Sequence, residues 1–114
     1  MSLLKRFFGK TEASDKVRVL SKADYAQAIK GGKVQLVDVR TAREFRSGHI
    51  KGAKNIDFFS LGSFNASFEK MDKDKAVYLY CQSGNRSQKA AKRLVKMGFE
   101  TVIDLSGGYG AWSR

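Results

Sequence analysis

Short apolar runs, each closed by polar or glycine-containing segments, succeed one another along the 114-residue chain. Val17–Leu20 reads Val-Arg-Val-Leu, an alternation that predicts a short strand. Ser21 then stands where a helix cap belongs, Asp24 falls at the N3 position, and Gly31-Gly32 ends the helix. Val34–Val39 is largely apolar, as an interior strand of a parallel sheet would be. Thr41 and Glu44 form a capping-box pattern that opens a short helix ending at Gly48. Ala53–Ile56 predicts a short strand. Leu61–Lys70 is weakly helical, with Phe64 and Phe68 four apart on one face.

A polar turn, Asp72 to Lys75, precedes the strongest strand, Ala76–Tyr80. After Cys81-Gln82-Ser83-Gly84-Asn85-Arg86-Ser87 comes a helix to Met97, stopped by Gly98, whose apolar stripe is Ala90, Ala91, Leu94, Val95 and Met97. Thr101–Leu105 is a last strand, followed by Gly107-Gly108 and a short helix holding Trp112. Strands alternating with helices predict an α/β fold with a mostly parallel sheet of about five strands flanked by helices. We expect a basic N-terminal arm over residues 1–16 and one domain over 17–114.

Composition narrows the chemistry. One cysteine excludes an internal disulfide, a CxxC redox pair and a multi-cysteine zinc site. With one histidine besides, no metal and no cofactor is expected, and a lone thiol suits a reducing, cytoplasmic setting. The apolar runs fall far short of the ~20 residues of a membrane span, so no transmembrane segment is predicted. Residues 1–10 carry a basic, partly apolar pattern without the apolar core of a secretory signal.

The formal charge is +11, spread as +3 over residues 1–20, +4 over 21–60, zero over 61–80 and +4 over 81–114. Such a surface attracts anions of any size, but no nucleic-acid-binding motif accompanies it. Lys89, Lys92, Arg93 and Lys96 recur at helical spacing opposite the apolar stripe. That face reads either as solvated surface or as one that steers an anionic substrate or docks an acidic partner.

Cys81 stands at the carboxyl end of an apolar strand, just before a helix, which is where an open parallel sheet binds its ligands. A glycine-containing polar loop there turns amide N–H groups inward, and with the helix N-terminus behind it forms an anion cradle. The cradle and Arg86 favour the thiolate, so Cys81 is the candidate nucleophile without a histidine base. A buried, inert cysteine is the alternative.

The segment Cys81–Ser87 resembles the active-site loop of rhodanese-domain sulfurtransferases. The likeness extends to Asp38-Val39-Arg40 with Glu44-Phe45, to Gly48-His49-Ile50, Gly52-Ala53 and Asn55-Ile56, and to Gly107-Gly108 with Trp112. It covers roughly residues 17–114 and implies a rhodanese-like three-layer fold. It also implies a Cys81 persulfide that takes sulfane sulfur from thiosulfate or a similar small anionic donor and passes it to cyanide or a thiol. By the same resemblance Gln82, Ser83, Gly84, Asn85, Arg86 and Ser87 supply the cradle, and Arg86 closes it and adds positive charge. Asp38 braces the loop or an arginine, and Arg40 faces the donor, unless the two form a plain surface ion pair. His49 takes a structural role, holding its turn by hydrogen bonds.

A protein partner in a sulfur relay is a second reading. Phosphatase or arsenate-reductase chemistry is a third, weakened because four residues separate Cys81 from Arg86 where the phosphatases sharing this fold have five. Lys51 and Asp57 stand where the family often has proline.

Overall fold

The computed structural model describes residues 15–114; the expected N-terminal arm lies almost wholly outside them. Five strands, β1 (Val17–Leu20), β2 (Gln35–Asp38), β3 (Lys54–Asn55), β4 (Val77–Tyr80) and β5 (Val102–Leu105), form one sheet in the order β1-β5-β4-β2-β3. Every pairing is parallel. The helices are α1 (Lys22–Ile29), α2 (Ala42–Arg46), α3 (Leu61–Glu69), α4 (Asn85–Lys96) and α5 (Gly108–Trp112).

Helix boundaries follow the chemistry of their ends. The Ser21 hydroxyl accepts the Asp24 amide at 3.2 Å, and Gly31 and Gly32 close α1 with positive φ. At α2 both halves of the Thr41–Glu44 capping box are made. Most boundaries shift by a residue or so from the sequence expectation, and one larger shift bears on the site: α4 begins at Asn85, so Asn85, Arg86 and Ser87 belong to its first turn rather than to the loop. Gly84, at φ 111°, makes this possible by turning the chain into the helix within a single residue.

Strand alternation splits the core in two. Val37, Val77, Leu79, Cys81 and Val102 face α3 and α4, where Phe64, Phe68, Ala90, Ala91, Leu94 and Phe99 complete one cluster. Leu36, Tyr80, Ile103 and Leu105 face the other way, against Tyr25 of α1, Ile50, Tyr109 and Trp112. The result is three layers with the sheet in the middle. No helix among the described residues is long and apolar enough to cross a membrane.

Candidate active site

The site is built at the carboxyl edge of β4, the central strand. Because side chains alternate, Tyr80 turns toward α5 while Cys81 turns toward α4, where it is fully buried. The sulfur sits at the base of the turn leading into α4. The Gly84 amide donates to Sγ at 3.0 Å, and Ser87 Oγ lies 3.4 Å away.

The amides preceding Gly84 are oriented from behind. Cys81 carbonyl accepts from the Tyr109 amide at 2.8 Å, and Gln82 carbonyl from the Gly110 amide at 3.0 Å. In a planar trans peptide the N–H points opposite the carbonyl, so these bonds turn the Gln82 and Ser83 amides away from α5. Gly108 permits so close an approach: a Cβ there would lie 2.5 Å from the Cys81 carbonyl oxygen. The turn therefore presents backbone N–H groups, with the α4 N-terminus behind them, to negative charge on sulfur.

Arg86 does not stand free over this cradle. Its two terminal nitrogens bind both carboxylate oxygens of Glu44, at 2.8 and 3.0 Å. Glu44 Oε1 also receives the Thr41 amide at 3.0 Å and the Thr41 hydroxyl at 3.1 Å. These contacts, the Arg86 hydrogen bonds first, hold the Glu44 carboxyl at about 2, well below the ordinary range. The pair anchors α4's first turn to α2, with both terminal nitrogens of the arginine directed at Glu44.

Asp38 and Arg40 are buried, at 0% and 2% exposure, so the surface-pair alternative does not describe them. They lie with Tyr80 and Tyr109 on the face of the sheet opposite Cys81. Arg40 Nε donates to both Asp38 oxygens at 3.1 Å, and Nη2 to Oδ2 at 2.7 Å. Nη2 also reaches the Gly48 carbonyl at 2.6 Å, and Nη1 the Gln82 Oε1 at 3.1 Å. The guanidinium stands over the Tyr109 ring at 4.5 Å. Burial disfavours its charge, and the hydrogen bonds and charge of Asp38 more than offset that. Arg40 thus meets the loop through Gln82 from beneath.

His49 stacks on Phe45 with 3.7 Å between ring centroids, and its Nδ1 lies 2.9 Å from the Phe45 carbonyl. It takes no part in the cradle. Among the described residues no cluster of His, Cys, Asp and Glu is arranged to hold a metal.

On the β5 side, a cleft of about 420 Å³ borders Ser83, Gly84 and Asn85 and reaches Gln88, Asp104 and Gly107. Asp104 is 2% exposed. Its Oδ2 accepts from Gln88 Nε2 at 2.7 Å, its Oδ1 has no partner, and burial raises its pKa. Sequence reading passed over Asp104 and Tyr109, gave Glu44 only its capping role, and gave Gly108 none apart from its motif. Gly107-Gly108 carried a signal as a motif, but its purpose, close contact with the Cys81 carbonyl, needs the fold.

Fold and site together define a parallel α/β domain that cradles a single cysteine at the carboxyl edge of its central strand. A family model described as "Rhodanese-like domain" matches residues 21–114, and the chain belongs to that family. It is 44% identical over 80 residues to the uncharacterized protein YqhL of Bacillus subtilis, covering 70% of this chain and spanning 61% of that relative's length. To the thiosulfate sulfurtransferase GlpE of Pseudomonas savastanoi pv. phaseolicola it is 40% identical over 89 residues, 78% of this chain and 81% of that one. Among solved structures, the rhodanese-related protein of Thermoplasma volcanium superposes with a TM-score of 0.72 at 29% identity, covering 84% of this chain and 90% of that one.

Proposed function

We propose that the protein is a sulfurtransferase that carries sulfane sulfur on Cys81. The observation that carries this reading is the Gly84 amide at 3.0 Å from Sγ, in a turn whose arginine is already bound by Glu44. A cradle of amides stabilises one negatively charged sulfur without an added base. The thiosulfate sulfurtransferase relative sharing 40% identity supports the same chemistry.

In the first half-reaction the Cys81 thiolate attacks the outer sulfur of thiosulfate. A new S–S bond forms, the S–S bond of the donor breaks, and sulfite leaves with the electron pair. In the second, cyanide or a thiolate attacks the terminal sulfur, and Cys81 departs as thiolate. Gln82, Ser83 and Gly84 offer amides to the transferred sulfur, Ser87 contacts Sγ, and Asn85 and Arg86 form the helix turn behind them. Asp38 and Arg40 hold Gln82 in place. The cycle needs neither metal nor cofactor, and it needs a reduced thiol, which suits a cytoplasmic setting.

The test is intact mass after incubation with thiosulfate. One sulfur atom should be gained by the wild type and none by Cys81→Ser. A wild type that gains no sulfur from any sulfane donor would sink the proposal. Hydrolysis of an aryl phosphate in place of sulfur uptake would favour phosphatase chemistry, against which the four residues between Cys81 and Arg86 argue.

A further inference from the structure

Two of the three large apolar side chains left exposed among the described residues are Phe59, at 66%, and Leu61, at 51%. They stand at the start of α3, beside the catalytic turn: the Arg86 guanidinium lies 5.6 Å from the centre of the Phe59 ring.

Phe59 is held outward by a built turn. Its amide donates to Asp57 Oδ1 at 2.9 Å, and the Ser60 amide to the Asp57 carbonyl at 3.2 Å. The preceding residue is pinned inward, with the Phe58 amide on the Val39 carbonyl at 3.1 Å and its ring edge-on to Phe64. Asp57 occupies a position where a proline would offer no side-chain acceptor. Exposure of such a ring forgoes the stabilisation that burial would bring, a cost that an occasional partner would offset.

The charge around this rim is positive. Arg86, Lys89, Arg93 and Lys96 share one face of α4 at 3/4 spacing. Arg86 stands by Phe59, and Arg93 over Phe58 and Phe64 at 5.1 and 5.2 Å, so Lys89 between them borders the same rim. Lys89 and Lys96 are exposed and enter none of the ion pairs found among the described residues. The nearby carboxylates are engaged, Glu44 by Arg86 and Asp57 by the Phe59 amide.

We propose that the Phe59–Leu61 rim, with Lys89, docks an acidic protein that presents a cysteine thiol to the Cys81 turn. The inference rests on the sulfur-transfer reading and names its partner. Small anions such as thiosulfate and cyanide have no apolar surface to cover Phe59 or Leu61, whereas an acidic protein segment with apolar side chains matches both features. Single-stranded nucleic acid uses successive stacking rings, and Phe59 is the lone exposed Phe, Tyr or Trp among the described residues. Because Cys81 is buried, the partner's cysteine must lie on a projecting segment. Its thiolate attacks the terminal sulfur of the Cys81 persulfide, the S–S bond breaks, and Cys81 leaves as thiolate. The partner then carries the persulfide, with no outside oxidant or reductant.

Two synthetic peptides test this, each with a central cysteine flanked by leucine and phenylalanine, one bearing glutamates and the other lysines. Thiosulfate loading of the wild type, read by mass, tests the sulfur-transfer reading separately. Docking is then measured without chemistry, by fluorescence anisotropy of cysteine-to-serine versions of the peptides on the Cys81→Ser protein. The acidic peptide should bind about tenfold tighter at low salt, with the preference shrinking as salt rises. Leu61→Ser and Lys89→Glu should each cut its affinity several-fold, while thiosulfate loading in the Cys81 background still goes to completion. Equal binding of the two peptides overturns the proposal, as does an unchanged affinity in both variants or tighter binding of a single-stranded RNA oligomer.

Discussion

Arg40 donates from Nη1 to Gln82 Oε1 at 3.1 Å, which ties a guanidinium buried on one face of the sheet to the residue following Cys81 on the other. The same guanidinium is neutralised by Asp38 beneath it. The turn around the sulfur is therefore held from three sides: by Arg40 through Gln82, by α5 through two carbonyls, and by α2 through the Glu44–Arg86 pair.

Arg40→Met tests the first of these. It strands the Asp38 carboxylate without its partner at zero exposure, a loss on the order of 3–5 kcal/mol. Urea unfolding should show that drop. The double variant Asp38→Leu, Arg40→Met should recover part of it, because no buried charge is left unpaired. Equal midpoints for the single and double variants would contradict the account.

Gly108→Ala places a Cβ against the Cys81 carbonyl at 2.5 Å, at a residue with φ 60°. The clasp must open to admit it. We expect a loss of about 1–3 kcal/mol and a thiosulfate rate reduced at least ~10-fold, since a displaced carbonyl misaims the next amide. Wild-type kinetics in this variant would show that α5 does not orient the turn.

The Glu44–Arg86 pair sets an acid limb of stability. The Glu44 pKa is about 2 in the fold, below the ~4.3 of an unfolded glutamate. Its contribution is thus complete above pH ~4.3 and lost as pH falls through about 2. Glu44→Gln should cost about 1–2 kcal/mol at neutral pH, allowing for the pair's partial exposure. The difference from wild type should shrink on acidification through that window, as chemical denaturation at stepped pH would reveal.

Asp104 behaves in the opposite sense. Burial raises its pKa, so the folded state binds a proton that the unfolded state releases first, and stability falls as pH rises above the unfolded value. Asp104→Asn keeps an acceptor for Gln88 and removes the ionisation. Its urea midpoint should exceed the wild type's at neutral pH and converge with it in acid. A lower midpoint at pH 7 would mean that the carboxylate itself is needed.

Much of this protein was legible in its sequence, because the signals involved are local. Ser21, Thr41 with Glu44, and Gly31-Gly32 mark helix ends through hydrogen bonds and backbone angles within a few residues. The apolar runs at Leu36-Val37 and Val77–Cys81 mark strands buried on both faces, and the loop after the second of them pointed to Cys81.

What remained hidden depends on residues far apart in the chain. That Arg86, expected to close the cradle and add positive charge, is also bound by Glu44, 42 positions away, makes it an anchor between two helices. That Arg40 lies beneath the turn rather than facing a donor follows from strand parity, which sends Asp38 and Tyr80 to one face and Cys81 to the other. The sequence by itself determined the order of elements, the candidate nucleophile and the family resemblance, since these rest on short-range pattern. Only the tertiary structure decided which charges are spent on one another, because pairing is set by packing across the sheet and not by spacing along the chain.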